Sequence, residues 1–213
     1  MEEEVFLADL MARSIEGPCR VALDIGANTG EWTRWMATHF EHVISCEPDW
    51  RAENFMRGLG VPVNATLLPL AVGRAPGLKK FFMRDDPLQS SLGESHPIGG
   101  SDCREVETVE VADVGVVTID LLSSISSLLY PGTAIDLIKI DVEGGEVDVL
   151  AGIEKLDEQY DSTRWIIEVH DTREAVGEQL QRLGYEKLRI VNHPHKEAHP
   201  GHLWVFVPAR NEE

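Results

Sequence analysis

Residues 21–30, Val-Ala-Leu-Asp-Ile-Gly-Ala-Asn-Thr-Gly, restrict the possible folds of this chain more than any other stretch. An apolar run passes through an acid, Asp24, into a short turn with two glycines, and a helical pattern from Glu31 to Phe40 follows. A strand handing the chain to a helix start across a glycine turn is the ligand-binding unit of doubly wound α/β sheets. Gly26 permits a turn that a side chain would obstruct, and Gly30 permits close packing at the helix start, where free N–H groups face a ligand.

The rest of the chain repeats this alternation. Apolar runs at Cys19–Asp24, His42–Glu47, Val63–Val72, Ile135–Val142 and Trp165–Val169 read as strands. Helical spacing marks Thr29–Phe40, Trp50–Gly58, Glu146–Leu156 and Thr172–Leu183. Lys79–Met83 reads as an added strand, Asp86–Arg104 as a long loop and Val106–Asp120 as strand-like. Such alternation predicts a mostly parallel sheet with helices on both faces. Tyr185–Val191 and Leu203–Val207 are joined with no room for a helix, so the last strand is antiparallel. One domain over 1–213 is the economical organisation, with a helix in residues 1–17, its apolar residues Leu7, Leu10, Met11 and Ile15, ahead of a core at 19–207. That helix is open to packing on the core, closing the site or forming a homodimer contact.

Charge narrows the partners. The formal net charge of −18 repels phosphate backbones, so a nucleic acid is not expected as partner. No apolar run approaches the ~20 residues of a membrane span. The start, Met1-Glu2-Glu3-Glu4, lacks the basic and apolar regions of a signal peptide, and a cytoplasmic protein is expected. Cys19, Cys46 and Cys103 are too far apart for a zinc knot or a disulfide framework, and Cys46 reads as core.

Five clusters carry candidate chemistry. Asp24 sits where ligands meet the carboxyl ends of the strands, although an aspartate there also suits turn formation or helix capping. The loop spells D-x-G-x-N-x-G and not the dinucleotide G-x-G-x-x-G. Asn28 occupies a place where a pyrophosphate wants bare backbone, so the loop suits a cofactor without one, such as S-adenosylmethionine. Glu47, about 20 residues beyond the loop, suits two ribose hydroxyls. Asp141-Val142-Glu143-Gly144-Gly145-Glu146 brings three acids to the same sheet edge. Acids also favour a helix N-terminus, which accounts for some of them. Strand alternation places Glu168 and His170 on one face, with His170 at the carboxyl end as candidate general base. His193, His195, His199 and His202 are irregularly spaced for a metal, and their loop is expected on the ligand side.

Together these segments resemble the FkbM family of S-adenosylmethionine-dependent methyltransferases. The matching residues are Asp24–Gly30, Glu47-Pro48, Thr118-Ile119-Asp120, Leu137–Glu146 and Ile167–His170. The resemblance implies a seven-stranded class I methyltransferase fold, Rossmann-like, with an antiparallel last strand, and O-methyl transfer to a small molecule or sugar. Carried over, Asp24, Gly26, Ala27, Asn28, Thr29 and Gly30 hold the methionine part of the cofactor, and Glu47, with Pro48 beside it, the ribose. Ala71 lets the adenine lie flat, and Asp141 sits near the sulfonium and amino group. Within that reading His170 is the base, with Glu168 or Glu143 orienting it. No metal site is assigned in that reading, and Asp141, Glu168 and His170 form an alternative set for Mg²⁺ or Mn²⁺. Two rival classes stand beside it: a nicotinamide-dependent oxidoreductase and a non-catalytic cofactor-binding module.

Overall fold

The computed structural model describes residues 19–83, 90, 92, 110–153, 163–169, 172–183, 185–192 and 202–208. In chain order the elements are β1 (Val21–Ile25), α1 (Glu31–Ala37), β2 (His42–Cys46), α2 (Trp50–Leu59), β3 (Ala65–Leu68), β4 (Ala71–Val72), β5 (Gly77–Met83) and β6 (Glu110–Val117). Then come α3 (Ile119–Leu129), β7 (Ile135–Ile140), α4 (Glu146–Leu150), β8 (Arg164–Val169), α5 (Arg173–Arg182), β9 (Tyr185–Asn192) and β10 (His202–Pro208). The expected helix within residues 1–17, the 86–104 loop apart from Ser90 and Leu92, His170 and the His193, His195 and His199 positions lie outside the described residues.

Seven strands form the main sheet in the order β3-β2-β1-β7-β8-β10-β9. β3, β2, β1, β7 and β8 are parallel, and β10 is antiparallel to both β8 and β9. β9 therefore runs with β8, and its carboxyl end reaches the same sheet edge as the turn after β1. The expected doubly wound sheet with an antiparallel last strand is the observed one. A second sheet, β4-β6-β5, adds a layer over that edge.

Central strands buried on both faces read as continuous apolar runs. Every residue of β1 and β7 is buried. Period-two alternation sends Leu23, Ile25, Ile138, Ile140, Trp165 and Ile167 to one face, packed with Leu122, Val149, Leu150, Val176 and Leu180 of α3, α4 and α5. Ala22, Val43, Leu137 and Ile166 face the other way, onto Met36 of α1 and Phe40 beyond it.

Three sequence expectations change: the helix expected over Glu146–Leu156 ends at Leu150, and two strand regions are revised. The strand region 63–72 splits at Pro69, which has no N–H for a ladder. The Leu70 N–H turns back to donate to the Leu68 carbonyl at 2.8 Å, and the chain leaves the main sheet at β3 to enter the second at β4. The strand-like reading through Asp120 also overran. β6 stops at Val117, and the Thr118 side chain caps α3 by accepting the Leu121 N–H at 3.2 Å. α3 was not expected from the sequence, although Ile119, Leu122 and Ile125 recur at helical spacing and pack on the core beside the buried Ser123 and Ser126.

Candidate active site

Two loops meet at the carboxyl edge of the sheet, and their contact is backbone to backbone. The Gly26 and Ala27 N–H groups both donate to the Cys46 carbonyl at 3.0 Å, tying the β1 turn to the end of β2. Gly26 has φ of +76°, and a Cβ built there would lie 1.8 Å from the Asp141 carbonyl oxygen. The Asp141 N–H donates to the Ile25 carbonyl at 3.0 Å and locks the same contact. Gly30, at φ +80°, makes room for the Met56 side chain of α2, so the close approach it permits is to the next helix. Asn28 also has positive φ, and its side-chain oxygen is buried without a hydrogen-bond partner.

Glu47 follows β2 and is 6% exposed. One carboxylate oxygen accepts the Asn28 N–H and the other the Asp49 N–H, each at 2.7 Å. Burial pushes its pKa up to about 7, against the pull of those two donors. Asp49 caps α2 and receives the Arg51 guanidinium on both oxygens, at 3.0 and 2.7 Å. Burial works to raise the Asp49 pKa, but its bonds to Arg51 outweigh it and hold the carboxyl below its ordinary value.

After β7 the acids divide by backbone geometry. Glu143 and Gly144 take positive φ, 51° and 91°, turning the chain sharply. Glu146 is fully buried and faces inward, one oxygen accepting the Gly144 N–H at 2.8 Å and the other the Thr172 hydroxyl at 2.7 Å. It braces the turn against the start of α5. Asp141 and Glu143 remain on the open side.

Beneath the turn lies a buried polar layer. On the α1 face, each apolar residue is followed two places later by a polar one: Ala22 by Asp24, Val43 by Ser45, Leu137 by Lys139 and Ile166 by Glu168. Asp24 is fully buried and pairs in register with both Ser45 and Lys139. The Thr33 hydroxyl of α1 donates to it at 2.6 Å and lies 2.9 Å from the Ser45 hydroxyl. The Lys139 ammonium is 3.4 Å from Asp24 and 3.5 Å from Asp141, and it donates to the Gly26 carbonyl at 2.8 Å. Burial opposes the charge on Lys139, yet Asp24, Asp141 and Glu168 together raise its pKa above the ordinary value. Lys139 was not singled out from sequence; the available signal was one cation inside the most apolar strand.

A cavity of about 410 Å³ opens between this edge and the second sheet. Gly26, Asn28, Glu47, Pro48, Ala71, Asp141 and Glu143 line it, so the expected cofactor residues from three separate loops do converge. Leu70, Val72 and Phe81, contributed around the second sheet, form an apolar wall that sequence reading did not assign to the site. Ala27, Thr29 and Gly30 are not on the wall. Asp24 is also absent from it: it lies inside β1 with its carboxylate turned to Thr33 and Lys139, not at the strand end facing the cleft. Glu168 is half-buried in β8 and acts electrostatically on Lys139. His170, the expected base and third member of the alternative metal set, lies outside the described residues. Among those residues, no three His, Cys, Asp or Glu side chains form a metal-sized group, and no helix is long and apolar enough to cross a membrane.

The family model for the methyltransferase FkbM domain matches residues 24–193. Among solved structures, methyltransferase FkbM from Methylobacillus flagellatus KT is similar at 15% identity and TM-score 0.57, covering 92% of this chain. This chain spans only 45% of that one. An rRNA methylase from Streptococcus thermophilus matches at 12% identity and TM-score 0.52, covering 96% of this chain and 95% of its own. Magnesium protoporphyrin IX methyltransferase from Synechocystis PCC 6803, with bound SAM, matches at 9% and 0.53, covering 98% and 79%. At such identities the likeness is one of fold. No curated protein matches the chain.

Proposed function

This chain belongs to the FkbM methyltransferase family, and from that premise we propose that it transfers a methyl group from S-adenosylmethionine to a hydroxyl of a small molecule or saccharide. The observation that carries the reading is one cavity wall uniting Asn28, Glu47 and Asp141 from three loops at the carboxyl edge of a doubly wound sheet. The wall suits this cofactor. The buried, unpartnered Asn28 oxygen calls for a donor such as an ammonium. Each Glu47 oxygen accepts one backbone N–H and keeps a lone pair for a ribose hydroxyl. Leu70, Ala71 and Phe81 offer an apolar face to a flat base.

When bound, S-adenosylmethionine supplies a methyl carbon on a sulfonium, and alignment with a nucleophile is the main further requirement. Asp141 and Glu143 supply negative charge beside that cationic end. His170, next after Val169 in the chain, takes the proton from the acceptor hydroxyl as it attacks, with Glu168 or Glu143 orienting the ring. The formal charge of −18 favours an acceptor without a phosphate backbone, unlike that of an rRNA methylase.

Calorimetry tests the donor first: S-adenosylmethionine and S-adenosylhomocysteine should bind and NADH should not. Heat from NADH alone would favour the oxidoreductase reading. Mass spectrometry over a panel of hydroxylated acceptors then seeks a mass gain of one methyl, whose absence across the panel would favour a binding module. His170→Ala should retain S-adenosylhomocysteine binding and lose about 10²-fold or more in turnover. Near-normal turnover removes His170 as base. Turnover lost to a chelator and restored by Mg²⁺ would favour the metal-assisted version through Asp141, Glu168 and His170.

A further inference from the structure

Lys139 is a lysine that stability does not explain. It is 4% exposed in the middle of a sheet. Taking an ammonium out of water costs several kcal/mol, and a buried ion pair replaced by apolar residues is often neutral or more stable. A methionine at 139 together with an uncharged residue at 24 would extend the apolar row begun by Leu137 and leave no charge buried. The contacts Lys139 makes are not spread through the core, either. Its 2.8 Å hydrogen bond reaches the carbonyl of Gly26, the residue on which the two site loops touch. Its ion pairs reach Asp24, one residue before the end of β1, and Asp141, one residue past the end of β7. Thr33 and Ser45 close the far side of Asp24, so that carboxylate is held from both directions.

We propose that Lys139 is a positioning residue for the methionine end of the donor: its ammonium pins the Gly26 carbonyl and the Asp141 carboxylate in the one arrangement that forms the cavity floor. The assignment rests on the S-adenosylmethionine reading above. It separates the two ends of the cavity. Gly26 and Asp141 rest directly on the Lys139 ammonium, whereas Glu47 is held by the Asn28 and Asp49 N–H groups and feels that charge only through space. Loss of Lys139 therefore acts first on a ligand's amino-acid end and much less on its nucleoside end.

The test compares two ligands that share the nucleoside and differ in that end, S-adenosylhomocysteine and 5′-methylthioadenosine, by calorimetry alongside thermal melts. Lys139→Met alone strands Asp24 as an unpaired buried charge, so the principal variant is Asp24→Asn with Lys139→Met, which removes both charges. The double variant should melt near the wild type, weaken S-adenosylhomocysteine about tenfold or more, and leave methylthioadenosine within about twofold. Should it fail to fold, Lys139→Arg carries the same comparison, because a longer, planar guanidinium keeps the charge but cannot occupy the point where the ammonium meets the Gly26 carbonyl and the Asp24 and Asp141 carboxylates. Wild-type affinity for both ligands, or equal weakening of both, overturns the proposal and leaves Lys139 a core ion pair. A wild-type protein that binds neither ligand overturns the donor reading itself, and this inference with it.

Discussion

Replacing Gly26 with alanine attacks the site at its one backbone-to-backbone contact. The added methyl carbon would lie 1.8 Å from the Asp141 carbonyl oxygen, where real Cβ atoms stay beyond 3.0 Å. That oxygen is backbone, with no rotamer to turn aside, so the β1 and β7 loops must part by more than about 1 Å, overpacking of a kind that costs about 1–3 kcal/mol. Alanine at φ +76° adds about 1–2 kcal/mol of left-handed strain. Parting the loops also stretches the Asp141-to-Ile25 hydrogen bond, worth about 1 kcal/mol. The expected loss is about 3–6 kcal/mol, a large share of the 5–15 kcal/mol typical of a folded domain. Urea unfolding followed by circular dichroism measures it, with calorimetry for S-adenosylhomocysteine on the same samples. Binding should vanish, since Gly26 and Asp141 both line the cavity. A variant within about 0.5 kcal/mol of wild type that still binds the ligand would refute the argument that this contact shapes the floor.

Three further outcomes follow from the same structure. Gly58→Ala in α2 meets nothing within 4 Å and should stabilise the protein by up to about 1 kcal/mol, read as a rise in melting temperature; a fall contradicts the helix assignment. Glu47 titrates near 4.5 when unfolded and about 7 when folded. Its contribution is therefore fully present below pH 4.5 and is lost as pH rises through 7. The stability of wild type minus that of Glu47→Gln should fall by about 3 kcal/mol between pH 4.5 and 8, and a difference independent of pH in urea titrations rules this out. Thr33→Val leaves Asp24 short of its 2.6 Å donor and should cost about 1–3 kcal/mol in chemical unfolding; an unchanged midpoint would show that Lys139 alone satisfies Asp24.

What could be read along the chain was local. The β1 turn shows in its glycines, Glu47 at a strand end stopped by Pro48, and the 141–146 turn in its acids and glycines, because each depends on backbone preferences of neighbouring residues. The end of the third strand region was blurred, since Pro69 reroutes the chain between sheets whose partners lie elsewhere. α3 was hidden because its first residues, Ile119 and Asp120, follow closely on β6 and read as a continuation of that strand. The second sheet was legible as separate strands, Lys79–Met83 and Val106–Asp120, but not as a sheet, since β5 finds its partner in β6 across a long intervening segment.

The strand-turn-helix rhythm, the antiparallel close and the residues eligible for the site were settled by the chain's own letters, because alternation and turn chemistry act over a few residues. Which carboxylates would face the cavity was settled only by packing. Asp24 and Glu146 turn inward, to Thr33 and Lys139 and to Gly144 and Thr172, while Asp141 and Glu143 stay on the wall. A carboxylate's burial and pairing depend on groups brought near it by distant segments, and no local pattern carries that information.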